Sequence, residues 1–195
     1  MKSVLISIHP KWCELIASGK KTIDVRKNAP KQVPFKAYIY ETYDKKYVDI
    51  GICWGNGKCF KHGCEKVIGE FICDNVDEYN FHEGLTKFNS MGLPSRIYGT
   101  YFIFADDYKS MCLSYGEVKN YGKGKTLYGW HISDLKIYDK PRELSEFGRG
   151  CDAEHINEIH CRDCKKLVSF DDCCEVMCKP LNRPPQSWCY VEELL

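Results

Sequence analysis

The sequence lacks the usual features of a membrane or an exported protein. None of its apolar runs approaches the roughly 20 residues that a membrane-spanning helix needs. The apolar segment near the N-terminus, Val4 to Ile8, is too short for a secretory signal peptide. We therefore expect a cytoplasmic protein that has no membrane partner.

The chain also lacks a large net charge, internal repeats and low-complexity tracts. Its 195 residues carry 28 Lys and Arg against 27 Asp and Glu, so the formal net charge is +1. This balance excludes a polycationic nucleic-acid coat and a self-repelling acidic disordered chain. The length and the hydrophobic fraction of 44% suit a globular domain with its own core.

The charges are unevenly distributed along the chain. Residues 1–36 contain eight cations and two anions, a net charge of +6, and the remaining residues carry −5. A local basic surface on a nearly neutral protein suits a polyanionic ligand that binds at one face. The alternative is a chance cluster of solvated lysines.

Short strand patterns in series, rather than strict βαβ alternation, dominate the chain. Alternating apolar residues predict a strand at 4–8, and a helix follows that begins at Pro10 and ends at Gly19. Further predicted elements are strands at 22–26, 35–41, 67–73, 127–138 and 187–192, one strand around 98–104, and a helix at 114–121. This series predicts an α+β fold with a small, bent, largely antiparallel sheet or barrel.

One segment carries a recognisable motif. From His9 to Arg26 (HPKWCELIASGKKTIDVR), a helix ends in Gly-x-Lys and continues into Thr-x-Asp-x-Arg on a strand. This motif resembles the signature of the ASCH (activating signal cointegrator homology) family, a branch of the PUA-like β-barrels. Weaker similarity to the bacterial and prophage-encoded members covers residues 67–71, 121–124, 127–132 and 183–190. The resemblance implies a small mixed or antiparallel barrel with flanking helices, whose cleft binds an RNA, a nucleotide or a modified nucleoside.

The resemblance implies two kinds of activity. Some ASCH proteins hydrolyse the amide of N4-acylated cytidine with a lysine, a threonine and a glutamate, and others bind or cleave RNA. Here Lys21 matches the lysine, but Asp24 stands where the threonine is expected. A carboxylate beside Lys21 is expected to raise the pKa of the lysine, which does not suit a base. We therefore expect ligand binding rather than amide hydrolysis, and Lys21 and Asp24 are the catalytic candidates if turnover occurs.

The candidate ligand-binding residues lie on the motif and on the later strand. Lys21 and Arg26 would bind a phosphate or a base edge, and Asp24 would hold them in position. The alternative for these charges is pairing among themselves. Aromatic residues of the later strand would stack on an unpaired base, or would fill the core on the buried face of that strand. The full set is Lys20, Lys21, Asp24, Arg26, Tyr128, Trp130 and His131.

Candidates for the catalytic glutamate that the resemblance implies are Glu83, Asp106 and Asp107, and the sequence does not choose among them.

The 13 cysteines are more numerous than a domain of this size needs. In a reducing compartment they are expected to be metal ligands or free thiols rather than disulfides. The spacing C-x2-C and C-x3-C predicts a structural zinc site at Cys161, Cys164, Cys174 and Cys178, with Cys173, Cys151, His155 and His160 as alternative ligands. A second group predicts another zinc site at Cys53, Cys59, His62 and Cys64. Four cysteines beside apolar residues are expected in the core: Cys13, Cys73, Cys112 and Cys189.

These observations predict a barrel over residues 1–147 with insertions near 54–65 and 75–110. A zinc-binding segment follows over 148–181, and a C-terminal strand over 182–195 packs back on the barrel. The favoured function is the binding of RNA or a nucleotide. Two alternatives stay open, a hydrolase that acts on N4-acylated cytidine or RNA and a zinc-stabilised module that binds other proteins.

Overall fold

The structure is a computed structural model. It describes residues 1–48, 51–53, 59–61, 65–83, 85–88, 94–97, 99–149 and 180–194. Over these ranges, no helix combines the length and the apolarity that a membrane crossing requires.

The described residues form short strands and helices. In the first half of the chain these are β1 (Ser3–Ile8), α1 (Pro10–Ala17), β2 (Ile23–Arg26), β3 (Phe35–Glu41), α2 (Lys45–Val48), β4 (Gly51–Cys53), β5 (Cys59–Lys61), β6 (Val67–Cys73), β7 (Val76–Tyr79), β8 (Phe81–His82), β9 (Leu85–Phe88) and β10 (Pro94–Ile97). In the second half they are β11 (Thr100–Tyr101), α3 (Ala105–Met111), α4 (Tyr115–Gly122), β12 (Leu127–His131), β13 (Ser133–Arg142), a 3-10 turn (Leu144–Glu146), β14 (Phe147–Arg149) and β15 (Trp188–Glu193).

The main sheet has six strands in the order β13-β6-β3-β1-β15-β14. β1 pairs with β3 in parallel, and the other neighbours are antiparallel. β1 is buried on both faces: Val4, Ile6 and Ile8 pack with residues of α1, while Leu5 packs with a second cluster that includes Phe147. Burial on both faces explains why this strand has an almost continuous apolar sequence.

A second sheet has three antiparallel strands in the order β2-β12-β7. Ile23 and Val25 of β2 belong to a separate core cluster with Met111 of α3 and Val118 of α4. Because side chains alternate along a strand, the charged residues between them point to the opposite side, towards α1 and β1. This alternation in the sequence IDVR creates the candidate site.

The predicted α+β class with a bent, mixed sheet is confirmed. The single long strand predicted at 127–138 is two strands, since β12 belongs to the small sheet and β13 to the large one. Ile132 separates the two strands, and Asp134 near the start of β13 has a φ of 47°, in the left-handed region, where the register on β6 shifts. The predicted strand around 98–104 is wrong over most of its length: among residues 99–104, which the structure describes, only Thr100 and Tyr101 pair, and α3 follows directly after the aromatic residues.

The cysteines divide between described and undescribed parts of the chain. Cys13 and Cys73 are buried, as expected of core thiols, whereas Cys112 and Cys189 are half-buried. The predicted zinc ligands between residues 151 and 178 lie outside the described residues. In the second predicted group, the backbone of β4 and β5 places Cys53 directly opposite Cys59, and His62 and Cys64 lie outside the described ranges.

Candidate functional site

A pocket of about 420 Å³ opens between α1, β2 and α4. The motif residues Lys21, Asp24 and Arg26 form one of its walls. Trp12 from α1 and Tyr121 from α4 are among the other lining residues. The expected convergence of the three charged motif residues on one cavity is therefore present in the structure.

A tight turn after α1 brings the motif to the pocket. Gly19 has a φ of +73°, which a residue without a Cβ adopts easily. The turn allows the amides of Lys20 and Lys21 to donate to the carbonyl of Leu15, each at 2.9 Å. The chain then enters β2, so that Lys21 lines the pocket while Lys20 is exposed and does not line it.

Lys21 is buried, with 3% of its surface exposed. Its Nζ donates to the carbonyls of Ile23 and Met111, both at 2.8 Å, and lies 3.7 Å from Oδ1 of Asp24. Burial lowers the pKa of Lys21 below the usual lysine value, although the Asp24 carboxylate acts in the opposite direction. The expectation of a raised pKa is therefore wrong, because desolvation outweighs the attraction of the carboxylate.

The two backbone hydrogen bonds limit what Lys21 can offer. An ammonium group has three N–H donors, so one donor remains for Asp24 or for a ligand. In the neutral amine, two N–H groups satisfy the carbonyls and the lone pair remains. Lys21 is thus a donor in a fixed position while it is protonated, and a base in a fixed position once it loses its proton.

Arg26 links three parts of the chain. Its Nε donates to Oδ2 of Asp24 at 2.6 Å. The terminal nitrogens donate to the carbonyls of Ser7 and Ser187 at 3.2 Å. Most of the guanidinium N–H groups therefore donate to acceptors of the protein itself. Arg26 connects the elements that form the wall of the pocket and leaves few N–H groups for a phosphate.

The mouth of the pocket combines aromatic rings with exposed cations. Nζ of Lys11 lies 4.3 Å from the centre of the Trp12 ring, and Nζ of Lys27 lies 4.8 Å from the centre of the Tyr121 ring. Both lysines are exposed, Trp12 is half-buried and Tyr121 is exposed. Two exposed cations therefore lie on aromatic rings of the pocket, although neither lysine is itself a lining residue.

Glu117 of α4 supplies a second carboxylate to the pocket. It completes a capping box, because its side chain accepts hydrogen bonds from the amide and the hydroxyl of Ser114, both at 2.8 Å. These hydrogen bonds lower the pKa of Glu117 below its usual value, and the bond from the Ser114 amide has the larger effect. Glu117 was not among the residues singled out from the sequence, although the Ser-x-x-Glu spacing at the start of the helix is a signal that could have indicated it. The predicted candidates Glu83, Asp106 and Asp107 do not line this pocket.

His9 is another lining residue that the sequence did not indicate. It caps α1, where its Nδ1 accepts a hydrogen bond from the amide of Lys11. Its Nε2 lies 2.6 Å from Oδ2 of Asp44. The ring orientation is thus fixed from both sides at the edge of the pocket.

The aromatic candidates of β12 lie elsewhere. Trp130 is completely buried and packs edge-on against Phe35, with ring centres 4.9 Å apart, so its assignment as a stacking residue is wrong. Tyr128 packs against the same core. His131 binds Asp77 at 2.6 Å on the other side of the strand. None of these three residues lines the pocket.

Comparison with known proteins identifies the architecture. No family model matches the chain, and no curated protein sequence matches it significantly. Among solved structures, the ASCH protein from Zymomonas mobilis aligns with a TM-score of 0.51 and 16% identity, over 98% of this chain and 88% of that chain. The chain has an ASCH-like fold. Two variants of the same Zymomonas mobilis protein also align over 98% of this chain with 15% identity. The tyrosine-to-phenylalanine variant is covered over 91% of its length with a TM-score of 0.51. The serine-to-alanine variant is covered over 89% of its length with a TM-score of 0.50.

The ASCH-like fold agrees with the PUA-like barrel that the motif implied. In this chain the pocket lies between the first helix and the sheet, next to the turn at Gly19. The fold thus places the Gly-x-Lys-Thr-x-Asp-x-Arg element at a cavity rather than on a flat face.

Proposed function

We propose that the protein binds RNA or a nucleotide, and that one unpaired nucleotide occupies the pocket. The observation that carries this proposal is the buried cluster of Lys21, Asp24 and Arg26 in the wall of a 420 Å³ cavity. A volume of this size lies in the usual range for small-ligand sites, roughly 300–1,000 Å³. It suits a nucleoside-sized group and not a double helix.

In this proposal, each part of the pocket has a role. The remaining N–H of Lys21 donates to a base carbonyl or a phosphate oxygen, and Asp24 orients it. The base stacks on Trp12 or Tyr121. Two buried cations face one buried carboxylate, and weak solvent screening strengthens the attraction of this wall for an anion. The exposed Lys11 and Lys27 neutralise phosphates at the mouth.

Equilibrium binding of a labelled random-sequence RNA octamer and of the four nucleoside 5′-monophosphates tests the proposal. We expect Lys21→Met and Trp12→Leu each to weaken binding by about tenfold or more, which corresponds to roughly 1.4 kcal/mol. Lys140→Gln, an exposed residue of β13 that does not line the pocket, is the matched surface control and should change affinity by less than about twofold. Failure of the wild-type protein to bind any of these probes at low salt would contradict the proposal.

A second candidate function is hydrolysis of N4-acylated cytidine or of RNA. The observation that favours it is the lowered pKa of Lys21, in the same pocket as Asp24 and Glu117. A lysine that loses its proton more easily is better suited to act as a general base. Incubation with N4-acetylcytidine, with detection of cytidine and acetate, and with labelled RNA tests this function. Absence of turnover of both substrates at stoichiometric enzyme concentration would exclude it.

The cysteine groups are proposed as structural zinc sites rather than as part of the pocket. Four thiolates at the spacing of Cys161, Cys164, Cys174 and Cys178 suit tetrahedral zinc. For the second group, the support is the antiparallel register that places Cys53 opposite Cys59.

A further inference from the structure

A second cavity, of about 490 Å³, lies on the other side of α4. Its lining consists of Phe81, Glu83, Lys119, Asn120, Lys123 and Gly124. Asn120 also lines the first pocket, so the two cavities adjoin along one helix.

The helical repeat explains how α4 can serve both cavities. Glu117 and Tyr121 are four residues apart, lie on one side of the helix and line the first pocket. Lys119, on another side of the helix, and Lys123, the C-cap residue in the left-handed conformation, line the second cavity. Asn120 lines both cavities, so its amide can contact a ligand on either side.

The two lysines are available to a ligand. Both are exposed, and within the described part of the chain neither one forms an ion pair. Nζ of Lys119 lies 5.9 Å from the centre of the Tyr115 ring, a weak contact that a phosphate can replace. Cations near a helix C-terminus also complement the helix dipole, but that role requires neither a cavity nor an aromatic neighbour.

Phe81 provides the aromatic wall of the second cavity. It is half-buried, and its ring packs edge-on against Tyr101 with centres 5.0 Å apart. Gly99 leaves room for this ring, because a Cβ at that position would lie 2.5 Å from Cζ of Phe81. The ring is therefore held in a fixed position beside the two lysines. A fixed ring next to free cations is the arrangement that single-stranded nucleic acids occupy without sequence-specific pairing.

We infer that the second cavity binds the nucleotide adjacent to the one in the first pocket, so that the ligand is a single-stranded RNA rather than a free nucleotide. This inference rests on the proposed function of the first pocket. Lys119 and Lys123 bind the phosphate of the second nucleotide, and its base packs on Phe81. Glu83 accepts hydrogen bonds from base amino groups and repels the phosphate towards the lysines. Asn120 contacts the strand where it crosses α4.

The test compares the RNA octamer with the four nucleoside 5′-monophosphates on the intact protein. The informative variant is Lys119→Gln/Lys123→Gln, and the matched control is Lys136→Gln/Lys140→Gln, which removes two exposed lysines from β13. We expect wild-type protein to bind the octamer at least about tenfold more tightly than any monophosphate. The α4 variant should lose about tenfold in octamer affinity, with the slope of log K against log salt reduced by about 0.7 for the one phosphate that the two lysines neutralise. Its affinity for monophosphates should change by less than about twofold, and the control should behave like wild type.

A second variant separates stacking from charge. Phe81→Leu should weaken octamer binding and leave the salt slope unchanged, because it removes a ring and no cation. Circular dichroism of each variant confirms that the fold persists.

Three outcomes would overturn the inference. If the octamer binds no more tightly than a monophosphate, or if the α4 variant behaves like its control, the second subsite is wrong and the proposed function of the first pocket stands. If the octamer binds through α4 but is insensitive to Trp12→Leu and Lys21→Met, the two pockets do not share one strand, and both proposals fail.

Discussion

Lys21 shows how burial and charge compete at a single residue. Its ammonium group is almost removed from solvent, which favours the neutral form, and it lies beside Asp24, which favours the charged form. Sequence reasoning identified the carboxylate but not the burial, because the carbonyl of Met111 and the packing of α3 come from a distant part of the chain. For this reason the predicted direction of the pKa shift was wrong.

We predict that Lys21 loses its proton at lower pH than an ordinary lysine. Asp24→Asn should lower the pKa of Lys21 further, because it removes the neighbouring negative charge. The measurement is an NMR titration of lysine side chains labelled at Cε, with the Lys21 resonance assigned from Lys21→Arg. A Lys21 resonance that titrates at or above the usual lysine pKa would contradict the structure.

The same shift predicts how stability depends on pH. Because the pKa of Lys21 is lower in the folded than in the unfolded state, the unfolded state binds more protons between the lowered pKa and the ordinary lysine value of 10.5. The contribution of Lys21 to the free energy of unfolding therefore rises with pH across this window. Urea unfolding of wild type and Lys21→Met should show a difference that moves in favour of wild type as pH increases. A difference that is constant or moves the other way would refute this prediction.

The aromatic residues of β12 illustrate another limit of the sequence. Alternation shows that Tyr128 and Trp130 share one face of a strand, and one face of a strand is usually buried. It does not show which cluster covers that face, since Phe35 and Trp188, the ring partners of Trp130, come from distant segments. The aromatic residues Trp12 and Tyr121, which line the pocket, instead come from two helices.

At the scale of elements, α4 depends on its capping box. We predict that Ser114→Ala destabilises the protein by about 1 kcal/mol, because the first turn loses a side-chain cap. The change should also raise the pKa of Glu117, whose carboxylate loses the hydroxyl hydrogen bond. Thermal unfolding measures the first effect, and a titration of labelled glutamate side chains measures the second. Ser110→Ala, in α3, is the control for loss of a serine hydroxyl outside the cap.

Arg26 connects β2 with β1 and with the segment that precedes β15. We predict that Arg26→Lys destabilises the protein by about 2 kcal/mol, since one ammonium group cannot reach Asp24, the Ser7 carbonyl and the Ser187 carbonyl together. Amide hydrogen exchange should become faster in β15. Arg149→Lys on β14 is the matched control. Unchanged exchange in β15 would contradict a connecting role for Arg26.

Elements with clear periodicity were predictable. The predicted strands at 35–41 and 67–73 coincide with β3 and β6, and the helix after Pro10 coincides with α1. Residues 75–110 were not predictable because their strands, where described, contain only two to four residues. Such short strands show almost no alternation, and tertiary pairing alone defines them.

For the molecule as a whole, the cysteine spacing predicts that the purified protein contains zinc. We predict about one zinc or more per purified chain, with release by a chelator. Replacing residues 151–179 by a short Gly-Ser turn should reduce the zinc content by about one per chain and leave binding at the first pocket intact. A wild-type protein that contains less than about one zinc per chain would contradict the structural zinc site.

Gly148 of β14 bridges Pro180, and the amide of Leu181 donates to the carbonyl of Phe147 at 2.8 Å, so the two ends of the segment 149–180 are held side by side. The entropic cost of closing a loop between ends that already meet changes only slowly with the length of the loop. We therefore expect insertions and deletions in the cysteine-rich segment to leave the register of β15 on β1 and the position of Ser187 beside Arg26 unchanged. In evolutionary terms, we expect the length of this segment to vary more readily than the residues of the pocket.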